Sequence, residues 1–192
     1  GKIIINNSSS VSNIISATYP GVVNVTTVTN KFTEISGGGT IANSGSQTIY
    51  LDGLISGNNK ISMEGSSGSS SIYLTKSNSF TGGIDFSAPS AVANNGSVWF
   101  LDSNALGSGP ISNSINSTNA AIKTYTPSGG SVQDWTLNNT VNTGTVNTAV
   151  MAFGPGTSNS LTLAGKVSGG GQLKVTSSAE GELRVANTLN DY

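Results

Sequence analysis

The chain has 192 residues, a net charge of −1, and Ser, Thr, Asn and Gly at 100 of its positions. Its charged share is 9 %, against about 25 % in ordinary soluble domains. The eight scattered Lys and Arg form no basic face for phosphates, and the absence of Cys and His excludes thiolate and imidazole metal sites and any His-based triad. No run approaches the roughly 20 apolar residues that a membrane-spanning helix needs. Neither nucleic acid, a cofactor, a metal nor membrane insertion of this segment is therefore expected.

Along the chain, the opening run GKIIINNSSSVSN (1–13) is strand-like. NVTTVTN (24–30) brings a threonine row, and SGGGT (36–40) brings a glycine turn. From residue 48 the pattern becomes regular. TIYLDGLISG (48–57), NKISMEG (59–65), SSIYLTK (70–76) and GSVWFLD (96–102) place apolar residues two apart. NSLTLAGKVSG (159–169), GQLKVTS (171–177) and GELRVAN (181–187) do the same. That is the period of a strand with one buried face, and the Gly, Asn and Ser clusters between them are turn chemistry. STNAAIKTY (117–125) is too short and too rich in Asn and Thr for a helix. A second threonine row lies at 138–149, but neither row recurs at every repeat, as ice binding would require. SGGGT and SGGGQ (168–172) lack the Lys-Ser/Thr and the following helix of a phosphate loop, so both read as turns.

Short strands at even spacing must stack to bury anything. An antiparallel sandwich and a parallel solenoid both fit, and the solenoid is favoured because Asp52-Gly53, a hairpin dipeptide, lies inside a repeated element. At roughly 20 to 25 residues per coil the chain predicts about eight or nine coils. Asn, Ser and Thr at matched corners are expected to ladder from coil to coil.

Residues 49–80 align with 161–192: Leu51 falls on Leu163, Gly53 on Gly165, Ile55 on Val167, Ile61 on Leu173, and Phe80 on Tyr192. Residues 1–13 likewise follow 96–108. Repeat-like elements are thus expected at 1–13, 49–111 and 161–192. Their phase predicts that residues 1–192 form one solenoid segment, a window of a longer repetitive protein.

LTKSNSFTGGIDF followed by NNGSVWFLDSNALGSGPI resembles the passenger-associated transport repeat of bacterial autotransporters, also called the autotransporter β-strand repeat. The resemblance is carried over 74–111 by Asn78, Phe80, Thr81, Gly82, Gly83, Gly96, Val98, Phe100, Asn104, Ala105, Leu106, Gly107 and Gly109. Ile84 and Asp85 depart from the usual residue after Gly-Gly. The resemblance implies a right-handed parallel β-helix displayed outside a bacterial cell or on its surface, with Phe80, Thr81, Gly82, Gly83, Gly96, Ala105, Leu106 and Gly107 as structural motif residues.

Candidate chemistry is sparse. Among nine Asp and Glu, only Glu180 and Glu182 are close, sharing a strand face with Arg184. A polysaccharide-degrading enzyme would use such neighbours, but a solvated strand explains them better. In SVWFL, Val98 and Phe100 are expected inside and Trp99 outside. Trp99, Trp135 and Tyr125 are the candidate contacts for glycan or for another subunit, unless flanking loops cover them. The reading is a non-catalytic structural or adhesive extracellular β-solenoid of a bacterial surface protein. Its expected partners are copies of itself, end to end or lateral in a filament, or host glycans held by an adhesin passenger.

Overall fold

A strand that alternates apolar and polar residues buries one side only, so a chain of such strands must wrap them around a shared interior. The chain does so as an all-β parallel solenoid, with no helix among the described residues. The computed structural model describes residues 2–5, 17–18, 23–24, 34–36, 40–43, 48–51, 53–63, 71–86, 96–125, 131–176 and 181–192, those before residue 50 by backbone alone.

Three sides enclose the interior. The longest is an eight-stranded parallel sheet in the order Val167–Ser168, Val141–Asn142, Ile111–Ser112, Ile84–Phe86, Lys60–Met63, Thr40–Asn43, Lys2–Ile5 and Val23–Asn24. The second stacks six strands: Thr48–Leu51, Ser71–Leu74, Ser97–Phe100, Ala120–Thr124, Val150–Gly154 and Gln172–Val175. The third side is divided between two three-stranded sheets. One holds Ala17–Thr18, Glu34–Ser36 and Leu54–Ile55; the other holds Asp134–Leu137, Ser160–Leu163 and Glu182–Val185. Between them, irregular chain continues the stack, with the Ser79 N–H donating to the Ile55 carbonyl at 2.9 Å and the Asn78 N–H to the Asn104 carbonyl at 3.1 Å.

The interior is built in columns. Ile61, Ile84, Ile111, Val141 and Val167 are register partners on the long sheet, each at most 1 % exposed. Ile72, Val98, Ile122 and Phe153 form the opposing column on the six-stranded side, all fully buried. Leu137 and Leu163 close the third. Branched and aromatic side chains suit these positions because they pack on a pleated surface with little rotamer freedom left to lose.

From Ile61 the long-sheet column climbs to Ile84, Ile111, Val141 and Val167, in steps of 23, 27, 30 and 26 residues. From Ile61 to Val167 these steps complete about four turns. Most of them exceed the assumed 20 to 25 residues, because the corners take up extra chain. The strands nearest the N-terminus also leave chain order: Lys2–Ile5 lies between Val23–Asn24 and Thr40–Asn43 and pairs with both.

The stacking also differs from the internal alignment. Leu51 belongs to the six-stranded side beside Leu74, whereas Leu163 belongs to the third side between Leu137 and Val185. Ile61 is on the long sheet and Leu173 on the six-stranded one. Phe80 is fully buried, while Tyr192 is 55 % exposed. The aligned segments are therefore displaced by one side of the solenoid. Of the element at 1–13, only Lys2–Ile5 is among the described residues.

Buried asparagines fasten the corners. Asn59, Asn78, Asn113, Asn139 and Asn159 are at most 8 % exposed. They bond mainly to backbone rather than amide to amide, which sharpens the expected ladder. Asn78 spans three turns, its Oδ1 accepting from the Ile55 N–H and its Nδ2 donating to the Ala105 carbonyl, both at 2.8 Å. Asn139 Nδ2 donates to the carbonyls of Gly107 and Gly109 at 3.0 and 2.7 Å. Asn113 closes its own loop through the N–H and carbonyl of Ser117.

Replacing Asn78 with Ala strands the Ile55 N–H and the Ala105 carbonyl without solvent, and is expected to cost about 2–4 kcal/mol. Urea unfolding checks this as a lower midpoint at unchanged slope. Asn78→Asp does not rescue it, since a carboxylate cannot donate to Ala105 and adds a buried charge.

Candidate functional site

Outside the barrel of apolar columns, the six-stranded side carries the chain's most organised surface. The tripeptides of Thr48–Leu51, Ser71–Leu74 and Ser97–Phe100 repeat apolar–aromatic–apolar, so each sends its middle ring outward. Register then places Tyr50, Tyr73, Trp99 and Lys123 in one column. Tyr50 and Tyr73 stack at 4.6 Å between centroids, and Tyr73 and Trp99 at 5.5 Å with planes only 5° apart. Tyr125 meets Tyr73 edge-on at 5.2 Å. The Lys123 ammonium sits 4.9 Å from the Trp99 ring centroid, a cation–π contact with the ring's negative face.

Both faces of Trp99 are thus occupied, one by Tyr73 and the other by Lys123. A sugar ring cannot stack on Trp99 as a free platform would allow, which alters the expectation drawn from SVWFL. The inward half of that expectation holds, since Val98 and Phe100 are fully buried. Trp135 lies inside: it is 8 % exposed and edge-on to Phe100 at 5.6 Å. Its strand Asp134–Leu137 alternates exposed and buried with Trp135 inward, so it is a core residue and not a surface contact. Tyr125 remains at the surface, half-buried.

Tyr50, Tyr73 and Lys123 are the surface residues that the sequence reading missed. The signal was available in IYL at 49–51 and again at 72–74, aligned with VWF at 98–100. Matching 49–80 to 161–192 concealed it.

The glycine motif forms a corner whose two halves pack on each other one turn apart. Phe80, Ala105 and Leu106 are fully buried. Gly107, at φ +64°, lies so close to Phe80 that a Cβ there would stand 2.3 Å from the Phe80 carbonyl oxygen. Gly83, at φ +79°, packs equally closely on Pro110, and Gly82 on Asn59. Thr81 is exposed and donates to the Asn58 side chain at 2.9 Å. Gly96 is buried, its carbonyl accepting from the Ala121 N–H.

The described carboxylates are held by neighbours. Asp85 pairs with Lys60 and Asp191 with Lys166, each at 2.8 Å. Asp134 accepts from the Ser160 hydroxyl. Glu182 takes a two-pronged grip from Arg184, at 2.8 and 2.6 Å. That hydrogen bonding from Arg184 holds the Glu182 carboxyl below its ordinary range, the opposite of what a general acid needs. Glu180 lies outside the described residues. Register instead brings Asp134 and Glu182 into one column, separated by Ser160. Among the described residues, no three Asp or Glu gather as a metal site would require.

No protein-family model, curated protein or solved structure matches the chain.

Burial, then the neighbouring Tyr50 and Tyr125, raise the Tyr73 phenol above its ordinary value. Below that value both folded and unfolded chains keep the proton; above it the unfolded chain ionises first. This contribution to stability is therefore full below about pH 10 and declines as pH rises through the folded value. Urea midpoints at about pH 9 and 11 are expected to fall further for the native chain than for Tyr73→Phe, which has no phenol to ionise. Burial lowers the Lys123 pKa in both proteins, so it cancels from the comparison.

Proposed function

We propose that the chain is a non-catalytic structural and adhesive segment of an extracellular bacterial surface protein. In this reading the solenoid is right-handed and extends to eight or nine coils. It is kin to the autotransporter passenger-associated transport repeat, and it meets copies of itself or host glycans along its length. The single observation that supports this best is the unbroken stacking of equivalent positions. Inside, one aliphatic column runs from Ile61 to Val167; outside, one column runs from Tyr50 to Lys123. A surface that repeats at about 4.8 Å per strand presents a long uniform face to a partner. Catalysis needs instead several different groups converging on one point.

The polar, weakly charged skin supports the same reading. Carboxylates tied to lysines one turn away stiffen a rod, and tightly closed corners offer a protease little loose chain.

Immunogold electron microscopy of intact producing cells, with an antibody raised to this chain, is expected to decorate the outer surface. Gold confined to the cell interior in sections would overturn the proposal.

A further inference from the structure

The six-stranded side carries a second outward column beside the aromatic one. By register it comprises Ser71, Ser97, Ala121, Ala152 and Lys174. Past Trp99 this surface dips into a cavity of about 150 Å3. Ala121 and Ala152 make its apolar floor, 7 % and 4 % exposed. Lys123 and Thr176 line one wall, with Gly154 between them in place of a further side chain. A Cβ on Gly154 would lie 3.1 Å from the Lys123 side chain and 3.2 Å from the Thr176 hydroxyl, so glycine at this position lets those two lining residues close over it. Thr118 and Asn119 line the cavity too, and Lys174 lies in the floor's own column, one strand past Ala152.

The lining is chemically one-sided. Its residues include two lysines, three with hydroxyls and one asparagine, and no carboxylate. On the long-sheet side, by contrast, Lys60 and Lys166 are each paired with an aspartate. The volume is below the roughly 300 Å3 where drug-sized pockets begin, so it takes one ring and not a folded ligand.

We propose that this trough binds one anionic sugar unit of a longer saccharide, a uronate or a sulfated pyranose. The ring's apolar face rests on Ala121 and Ala152, its hydroxyls meet Ser97, Thr118, Asn119 and Thr176, and its anion is held by Lys123 and Lys174. An acidic peptide side chain could satisfy the lysines, but it would leave the apolar floor and the row of hydroxyls without partners. Trp99, the ring next to the trough, offers the ligand no free face, since Tyr73 and Lys123 cover both.

The test uses the whole chain in calorimetric titrations with galacturonate, galactose 6-sulfate, galactose and a tetraglutamate peptide. Either anionic sugar, or both, is expected to bind, and which of them does so identifies the anion. Galactose is expected to bind about tenfold more weakly, and Lys174→Gln to weaken the anionic sugar about tenfold, the factor one charge-assisted hydrogen bond supplies. Lys174 is exposed, so this variant keeps its fold. Ala152→Leu fills the trough and abolishes binding, while Lys166→Gln, on the long sheet, leaves it unchanged. Equal binding of galactose, unaltered binding by Lys174→Gln, no binding of either anionic sugar, or tighter binding of tetraglutamate would each overturn the proposal. None of these outcomes bears on the cell-surface location, which the immunogold experiment tests separately.

Discussion

The structure depends on one constraint: each turn must lay its strands in parallel register on the turn before. Strand neighbours sit about 4.8 Å apart and bond through the backbone along their whole length. A turn cannot change length within a strand without moving every side chain to the wrong face. The turns from Ile61 to Val167 nevertheless differ by up to seven residues, from 23 to 30. Corners must absorb that difference, and a corner buried against its neighbours leaves backbone groups that no strand can satisfy. Asn78 and Asn139 supply the missing partners, reaching carbonyls and N–H groups on adjacent turns. Glycines at 83 and 107 allow those corners to close upon one another.

The same constraint accounts for the sparse charge. A charged residue in an outward column faces whatever occupies that register position one turn away, and like charges there repel. Two of the described ion pairs, Lys60–Asp85 and Lys166–Asp191, join residues 25 apart in sequence and therefore bridge successive turns. Uncharged Ser, Thr and Asn stack on copies of themselves without that penalty. On the six-stranded side aromatic rings stack likewise, each pair adding about 0.5–1.5 kcal/mol beyond burial. The ladder stops at Lys123, whose ammonium covers the last ring, and the next residue in the column is Gly154. Lys123 thus ends the ladder and at the same time lines the trough.

How much of this could be read from the sequence follows from what alternation encodes. Period two separates inside from outside, and it placed Ile61, Ile72, Leu74, Val98 and Phe100 correctly in the interior. It does not say which side of the solenoid a strand joins, because all three sides use short alternating strands. Hence Leu51 and Leu163 match in sequence and stand on different sides. Trp135 was misplaced because QDWTL has one large apolar residue before Leu137, and only the register with Leu161 shows that it points inward. The length of a turn was equally hidden. Loop residues at a corner carry no period, and loop length changes closure entropy only slowly.

The three sides are consequently unequal as surfaces, although they share one core. On the long sheet the column Ser62, Asp85, Ser112, Asn142 and Ser168 is polar, with Ser62 and Asp85 themselves buried and Asp85 paired with Lys60. The third side shows Asp134, Thr136, Thr162, Glu182 and Arg184, with opposite charges already joined. The six-stranded side differs in kind: it combines aromatic mass, an apolar floor and two lysines that no described carboxylate answers. Burial lowers the Lys123 pKa, which means that its charge is held at a cost in desolvation. An anion arriving beside it would relieve that cost, whereas a neutral partner would deepen it. The proposed recognition of an anion therefore draws on this side, where Lys123 and Lys174 line the trough.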